Sequence, residues 1–238
     1  MSKPDLSKIK IFADGAVLED VAQLIDKAGV KGFTTNPTLM AKVGIRDYEG
    51  FAKKMLAEVR GMPVSLEVFA DDLPEMERQA KILASWGDNV FVKVPVTNTA
   101  GVPTLPIVTA LSKAGVKLNV TAVFTPEQID AIVEALTPGV PAIVSVFAGR
   151  IADTGRDPCP IMAHALKTCA RKPGVEVLWA SCRELYNVVQ AADVGCHIVT
   201  VPNDMLKKLS MIGKDLTELS LDTVKMFRND AVSSGFKL

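Results

Sequence analysis

The sequence predicts an α/β fold, a single (β/α)8 TIM barrel domain spanning residues 1–238. Short runs rich in β-branched residues recur eight times along the chain, at residues 9–13, 32–34, 64–69, 90–94, 116–120, 142–147, 175–180 and 197–201. Segments with helical periodicity lie between them, and this alternation implies parallel strands covered on the outside by helices. Eight such units in 238 residues are the number that closes a barrel.

The helical segments carry recognisable ends. In residues 17–28 apolar side chains recur on one face, and the pattern stops at Gly29, a residue favoured just beyond a helix. Another helix is predicted to begin at residues 125–128, Thr-Pro-Glu-Gln, which form a capping box with proline at the first helical position. An open doubly wound sheet is the alternative, but IFADGAVLED at the first strand contains no glycine-rich phosphate loop.

Residues 210–238 predict one further amphipathic helix after the eighth unit, with Leu219, Leu221, Val224 and Phe227 as its apolar positions. This helix would either cover one end of the barrel or reach a neighbouring subunit. The second arrangement favours a homo-oligomer.

Composition excludes several classes of partner. Twenty-seven basic residues balance 27 acidic ones, without the basic and aromatic cluster of a nucleic-acid groove. No apolar run approaches the ~18 residues of a membrane span, and the first residues do not resemble a signal peptide, so a cytoplasmic protein is expected. Four cysteines without paired spacing and only two histidines predict no metal site, and no cofactor is expected.

Polar residues fall at the carboxyl ends of the predicted strands, where barrel enzymes build their active sites. The set comprises Asp14, Thr35, Asn36, Glu67, Lys93, Asn119, Thr121, Arg150, Ser181, Arg183 and Asn203. Because these strand ends meet at one rim of a barrel, we expect the side chains to converge there.

Lys93 is the most informative of these residues. It lies in the apolar run VFVKV, where burial disfavours the charged ammonium, and a neutral buried amine is a nucleophile for carbonyl groups. The alternative is a structural ion pair with Glu67 or Asp14, and burial alone does not separate the two. Both carboxylates could also move protons during catalysis, although Asp14 taken alone is more typical of a helix N-cap.

The remaining polar residues have two interpretations each. Asn119 and Thr121 share strand parity, so both can face the barrel interior, or they are ordinary polar residues at a strand end. Arg150 and Arg183 follow neighbouring strands and precede helices, an arrangement suited to a sugar phosphate, whereas a single loop arginine is more often only solvated.

Six motifs resemble the transaldolases and the closely similar fructose-6-phosphate aldolases in order and spacing. They are GFTTNPTL at 32–39, VKVPVT at 92–97, NVTAVF at 119–124, SVFAGRI at 145–151, WASCRE at 179–184 and GCHIVTVP at 195–202. The resemblance covers essentially the whole chain. It implies a class I aldolase-type barrel in which Lys93, on strand four, forms a Schiff base with a ketose phosphate.

The resemblance also implies roles for the other residues. Asp14 would be the acid and base at the sugar hydroxyl, and Glu67 with Thr121 would hold the water of imine formation and hydrolysis. Substrate contacts are implied for Thr35, Asn36, Asn119, Phe147, Arg150, Ser181 and Arg183, with the two arginines at the phosphate.

Two positions distinguish transferase from aldolase within this family. Fructose-6-phosphate aldolases carry tyrosine and glutamine where this chain has Phe147 and Glu67. The resemblance therefore implies transfer of dihydroxyacetone to an aldose phosphate, with an aldolase that releases dihydroxyacetone, or a non-catalytic sugar-phosphate-binding barrel, as alternatives. One departure is Gly15, which stands beside Asp14 where the family more often has threonine.

Overall fold

The computed structural model describes residues 4–15, 21–35, 37–42 and 44–237. Asn36 and residues 17–20 of the first predicted helix lie outside these ranges. Within them, eight parallel strands form a closed barrel in sequence order, and β1 is bonded to both β2 and β8. The strands are β1 Lys10–Asp14, β2 Gly32–Thr34, β3 Val64–Glu67, β4 Val90–Pro95, β5 Leu118–Val123, β6 Ala142–Val146, β7 Val175–Trp179 and β8 Ile198–Pro202.

Helices occupy every connection between successive strands, which confirms the predicted (β/α)8 barrel. They are α1 Val21–Ala28, α2 Pro37–Lys42, α3 Tyr48–Glu58, α4 Leu73–Ala84, α5 Leu105–Lys113, α6 Pro126–Ala135, α7 Ala148–Asp153, α8 Cys159–Cys169, α9 Tyr186–Asp193, α10 Asn203–Leu206 and α11 Leu216–Ser233. The predicted capping box at the start of α6 is present, because the Thr125 and Gln128 side chains each accept from the other's backbone N–H.

Two apolar regions hold the barrel together. Outward-facing strand residues pack under the helices in one continuous core, while a smaller cluster that includes Phe12, Ile143 and Ile198 fills the barrel interior. Gly32 is required here, because a Cβ at this position would lie 2.5 Å from the Phe12 ring. Toward the carboxyl ends of the strands the barrel interior becomes polar, and the predicted site residues that the structure describes lie around this end.

Two predicted strands differ from those observed by two residues or more at one or both ends. The fifth was expected at residues 116–120 but runs from Leu118 to Val123, and the third ends at Glu67 instead of residue 69. The β5–β6 register shifts between Val120 and Val123, and Ala122 has φ of +57°. A bulge of this kind bends a strand and re-aims its side chains, and the β-branched composition did not reveal it.

The additional C-terminal helix is present as α11. The structure describes all of its 18 residues, and none of them is buried. Leu216, Leu221, Val224 and Phe227 are each more than half exposed, so α11 does not cover an end of its own barrel tightly. Across the described ranges, no helix is both long and apolar enough to cross a membrane.

Candidate active site

Lys93 lies on β4 inside the barrel and is only 7% exposed. Its Nζ donates to the backbone carbonyl of Thr35 at 2.9 Å and to Glu67 Oε2 at 3.0 Å. The β3–β4 register pairs Glu67 with Lys93 directly, which explains why the carboxylate reaches the amine. The ion pair between Lys93 and Glu67, which was one of the two interpretations of the sequence, is therefore present. It also places a proton acceptor next to the amine.

Thr35 follows β2 and is held firmly to β3. Its N–H and its hydroxyl both donate to the carbonyl of Ser65, at 3.1 and 2.9 Å. Its own carbonyl receives the Lys93 ammonium. The described contacts of Thr35 are thus with other groups of the protein. They fix the position of its carbonyl oxygen, which is one of the two oxygen atoms that bind the Lys93 amine.

Asp14 lies at the end of β1 and accepts a hydrogen bond from Thr34 Oγ1 at 2.9 Å. Thr34 Oγ1 also lies 2.6 Å from Thr200 Oγ1 on β8. A hydroxyl has one hydrogen to donate, so with Asp14 receiving that of Thr34, Thr200 is the donor in the second bond. The buried Thr34 hydroxyl therefore orients the Asp14 carboxylate, and Thr200 in turn orients the Thr34 hydroxyl from the strand on the other side of β1.

A second buried network crosses β4. Ser145 Oγ donates to Asn119 Oδ1 at 2.6 Å, and Asn119 Nδ2 donates to Ser65 Oγ at 2.9 Å. These residues belong to β6, β5 and β3, and all three side chains are almost completely buried. The Asn119 amide is thereby held in one orientation beside Lys93, to which the β4–β5 register pairs it.

Thr121 is 2% exposed, and its register partner on β4 is Pro95. Its Oγ1 is buried and has no hydrogen-bond partner among the described residues. Buried polar atoms are seldom left unpaired, and one that is unpaired marks a place for water or a ligand. Thr121 therefore offers an available hydroxyl at the polar end of the barrel.

Arg150 and Phe147 form one side of the rim. The Arg150 guanidinium carbon lies 5.6 Å from the centre of the Phe147 ring, which in turn lies 5.7 Å from the Phe124 ring. Stacking of this kind orients a guanidinium while leaving its N–H groups available. Arg150 belongs to α7 itself, whereas the sequence placed it in a connection before a helix.

Arg183 follows β7 and is fixed by α7 as well. Its Nε and Nη2 donate to Asp153 Oδ2 at 2.9 and 2.6 Å. Ser181, which precedes it, has φ of +65°, a conformation that non-glycine residues seldom adopt and that is common at functional sites. A Cβ at Gly149 would lie only 1.7 Å from the Ser181 carbonyl oxygen, so α7 packs against this turn with no room for a side chain at residue 149.

Several side chains that contact the predicted residues were absent from the sequence prediction. Among them are Thr34, Tyr48, Ser65, Ser145 and Asp153. For Ser65 and Ser145 a signal existed, since each is a polar residue at an inward-facing position of an apolar strand. Tyr48 and Asp153 lie on helices, whereas the sequence predicted site residues at the carboxyl ends of strands.

The fold and this arrangement define a class of protein, a (β/α)8 barrel with a buried lysine paired to a carboxylate at the polar end. Among solved structures, a deoxyribose phosphate aldolase from Aeropyrum pernix matches with a TM-score of 0.53 and 16% identity, covering 86% of this chain and 90% of that one. KGPDC from Streptococcus mutans matches with a TM-score of 0.54 and 13% identity, covering 87% and 91%. At these identities the likeness concerns the fold alone.

Sequence comparison is more specific. The family described as Transaldolase/Fructose-6-phosphate aldolase matches residues 11–238. A probable transaldolase of Dehalococcoides mccartyi is 37% identical over 84% of this chain and 90% of its own length. One from Thermoanaerobacter sp. is 34% identical over 97% of this chain and 100% of its own. The chain belongs to the transaldolase/fructose-6-phosphate aldolase family, and it is an enzyme of the transaldolase and aldolase type.

Proposed function

We propose that this enzyme transfers a dihydroxyacetone unit from a ketose phosphate, such as fructose 6-phosphate, to an aldose phosphate through a Schiff base on Lys93. The observation that carries the proposal is the Lys93 amine, buried inside the barrel within 3.0 Å of the Glu67 carboxylate. A lysine in this position can pass its proton to a neighbour and attack a ketone as the neutral amine.

The first stage is imine formation. The Lys93 amine adds to the C2 carbonyl of the ketose, and the resulting carbinolamine loses its hydroxyl group as water. Glu67 and Thr121 hold that water and move its protons. The Thr121 hydroxyl, which has no hydrogen-bond partner among the described residues, supports this role, because a water bound there would satisfy the oxygen.

The second stage is cleavage and transfer. Asp14 removes the proton of the C4 hydroxyl, the C3–C4 bond breaks, and its electron pair passes to the iminium to give an enamine on Lys93. The aldose phosphate leaves, and an acceptor aldehyde takes its place. The enamine carbon attacks this aldehyde, Asp14 returns its proton to the new alkoxide, and water releases the product ketose from the lysine.

Substrate binding uses the remaining predicted residues. Arg150 and Arg183 bind the phosphate, while Thr35, Asn36, Asn119 and Ser181 position the sugar. Charge-assisted hydrogen bonds from guanidinium groups are the strong contacts for phosphate oxygens. The link of both arginines to α7 supports this assignment, since one element then presents two cations to one anion.

Phe147 favours transfer over the release of free dihydroxyacetone. Its ring lacks the hydroxyl that could deliver a proton to the enamine, so the three-carbon fragment remains bound until an acceptor arrives. Without acceptor we expect slow release of dihydroxyacetone from fructose 6-phosphate, and with erythrose 4-phosphate rapid transfer. Phe147→Tyr should increase the release. Rapid release by the unmodified enzyme would establish the aldolase instead.

Borohydride trapping tests the Schiff base. The protein is incubated with fructose 6-phosphate, reduced, and analysed by peptide mass spectrometry, because reduction makes the imine permanent on its lysine. We expect a dihydroxyacetone-sized or hexose-phosphate-sized adduct on Lys93 that is missing from Lys93→Ala. Lys53→Ala, which removes an exposed lysine paired with Glu49, is the control and should retain the adduct. Binding of fructose 6-phosphate without an adduct would favour the non-catalytic barrel.

We also propose a cytoplasmic homo-oligomer in which α11 packs on a neighbouring copy. Burial of exposed apolar side chains such as Leu221 and Phe227 would stabilise that contact. Light scattering measures the assembly, and Leu221→Glu should dissociate it. A monomer in the unmodified protein would contradict this part of the proposal.

A further inference from the structure

Tyr48 is the first residue of α3 and reaches the barrel rim from outside the sheet. The helix is anchored by buried Phe51 and Met55, and its N-cap Asp47 accepts a hydrogen bond from Gly50 N. The Tyr48 ring packs edge-on against Phe69, with ring centres 4.6 Å apart. Its direction is therefore set by packing, and the phenol oxygen is brought to the ends of β2 and β3.

The phenol oxygen is bonded to the backbone of Glu67, the residue whose carboxylate holds Lys93. Tyr48 Oη accepts the backbone N–H of Glu67 at 2.9 Å and donates to the carbonyl oxygen of the same residue at 3.4 Å. One hydroxyl thus binds both backbone polar groups of Glu67 at the end of β3.

Burial keeps this hydroxyl in its neutral form. It raises the pKa of Tyr48 to about 12, against the lowering effect of the hydrogen bond from the Glu67 backbone. The phenol is consequently protonated throughout the neutral range, and its donated hydrogen bond is retained at every pH where the enzyme would work.

We propose that Tyr48 is a positioning residue for the reactive lysine, since it fixes the backbone of Glu67, whose Oε2 receives Lys93 Nζ. The inference rests on the proposed function, because it assigns Tyr48 to the reaction of that amine. Without the phenol the end of β3 is held less firmly, the Glu67 carboxylate can shift, and the amine loses its fixed direction toward the ketone. A displacement of about 1 Å at a reacting group can lower a rate by a large factor.

Tyr48→Phe tests the proposal, because it keeps the ring and removes only the hydroxyl. We expect the rate of borohydride trapping on Lys93 and kcat to fall roughly tenfold, with KM for fructose 6-phosphate within about twofold of the unmodified value. Tyr186→Phe is the matched control, since Tyr186 is 58% exposed, and its trapping rate should be unchanged. A loss of packing alone would instead lower the thermal midpoint and leave this kcat-to-KM division unmoved.

The outcomes separate the two proposals. An unmodified protein that forms no adduct defeats the proposed function itself. A normal adduct in the unmodified protein, together with normal trapping in Tyr48→Phe, overturns the role of Tyr48 and leaves the Schiff base standing.

Discussion

Ser145→Ala should destabilise the barrel and weaken substrate binding together. Ser145 Oγ donates to Asn119 Oδ1 at 2.6 Å, and these residues are 2% and 0% exposed. The substitution leaves a buried amide oxygen without its donor, and such a loss costs about 1–3 kcal/mol. Equilibrium unfolding in urea, followed by circular dichroism, measures this difference directly from the shift in midpoint at constant slope.

The same substitution removes the reason for the Asn119 orientation. With Ser145 present, the amide nitrogen must face Ser65, to which it donates at 2.9 Å. Without Ser145 the amide can turn over and accept from the Ser65 hydroxyl instead. Under the proposed function, a substrate hydroxyl bound by Asn119 then loses its partner, and about 1.4 kcal/mol of lost binding corresponds to a roughly tenfold higher KM for fructose 6-phosphate.

Ser85→Ala is the matched control, since Ser85 is exposed at the end of α4 and bonds only locally, to the Ile82 carbonyl. Its free energy of unfolding should stay within about 0.5 kcal/mol of the unmodified value, and its KM should not change. If Ser145→Ala behaved like this control in both assays, Ser145 would have no part in holding Asn119, and the reasoning from the buried network would be refuted.

Three further predictions concern the rim and the core. Gly149→Ala should lower the free energy of unfolding by about 1–3 kcal/mol in urea, because its Cβ would overlap the Ser181 carbonyl oxygen. Arg183→Ala should raise KM for fructose 6-phosphate at least tenfold, from about 1.5–3 kcal/mol of charged hydrogen bonding, and leave KM for unphosphorylated fructose unchanged in the same coupled assay. Burial raises the pKa of Cys196 from 9.0 to about 12, so the unfolded chain alone loses this proton between those values. Stability should therefore fall as pH rises above about 9, by up to ~1.4 kcal/mol per pH unit from this thiol, and urea unfolding at pH 8 and 10 should show a shallower decline in Cys196→Ala.

The sequence was informative where local pattern and global fold agree. The alternation of strands and helices predicted the barrel. The apolar residues around Lys93 in VFVKV indicated that this lysine is buried inside it. The contact of Lys93 with Glu67 followed from register, because neighbouring parallel strands bring residues at their carboxyl ends together.

What the sequence could not give depends on contacts between distant segments. Tyr48 begins a surface helix, and nothing in the periodicity of α3 shows that its hydroxyl ends at Glu67. Asp153 reads as an exposed acidic residue until α7 and the turn after β7 are seen to meet at Arg183. The bulge in β5 is likewise set by pairing with β6, and composition carries no record of such a register shift.

Closure of the barrel also orders events during synthesis. β1 is bonded to β8 over five residue pairs, so the amino-terminal strand has no partner on one side until the ribosome has released residue 202. Until then the growing sheet presents two unpaired edges, which are templates for wrong pairing with other chains. The exposure of these two edges ends when β8 emerges, and it does not depend on α11. A nascent chain that stops before β8 should therefore aggregate, whereas one that stops before α11 can already close its ring.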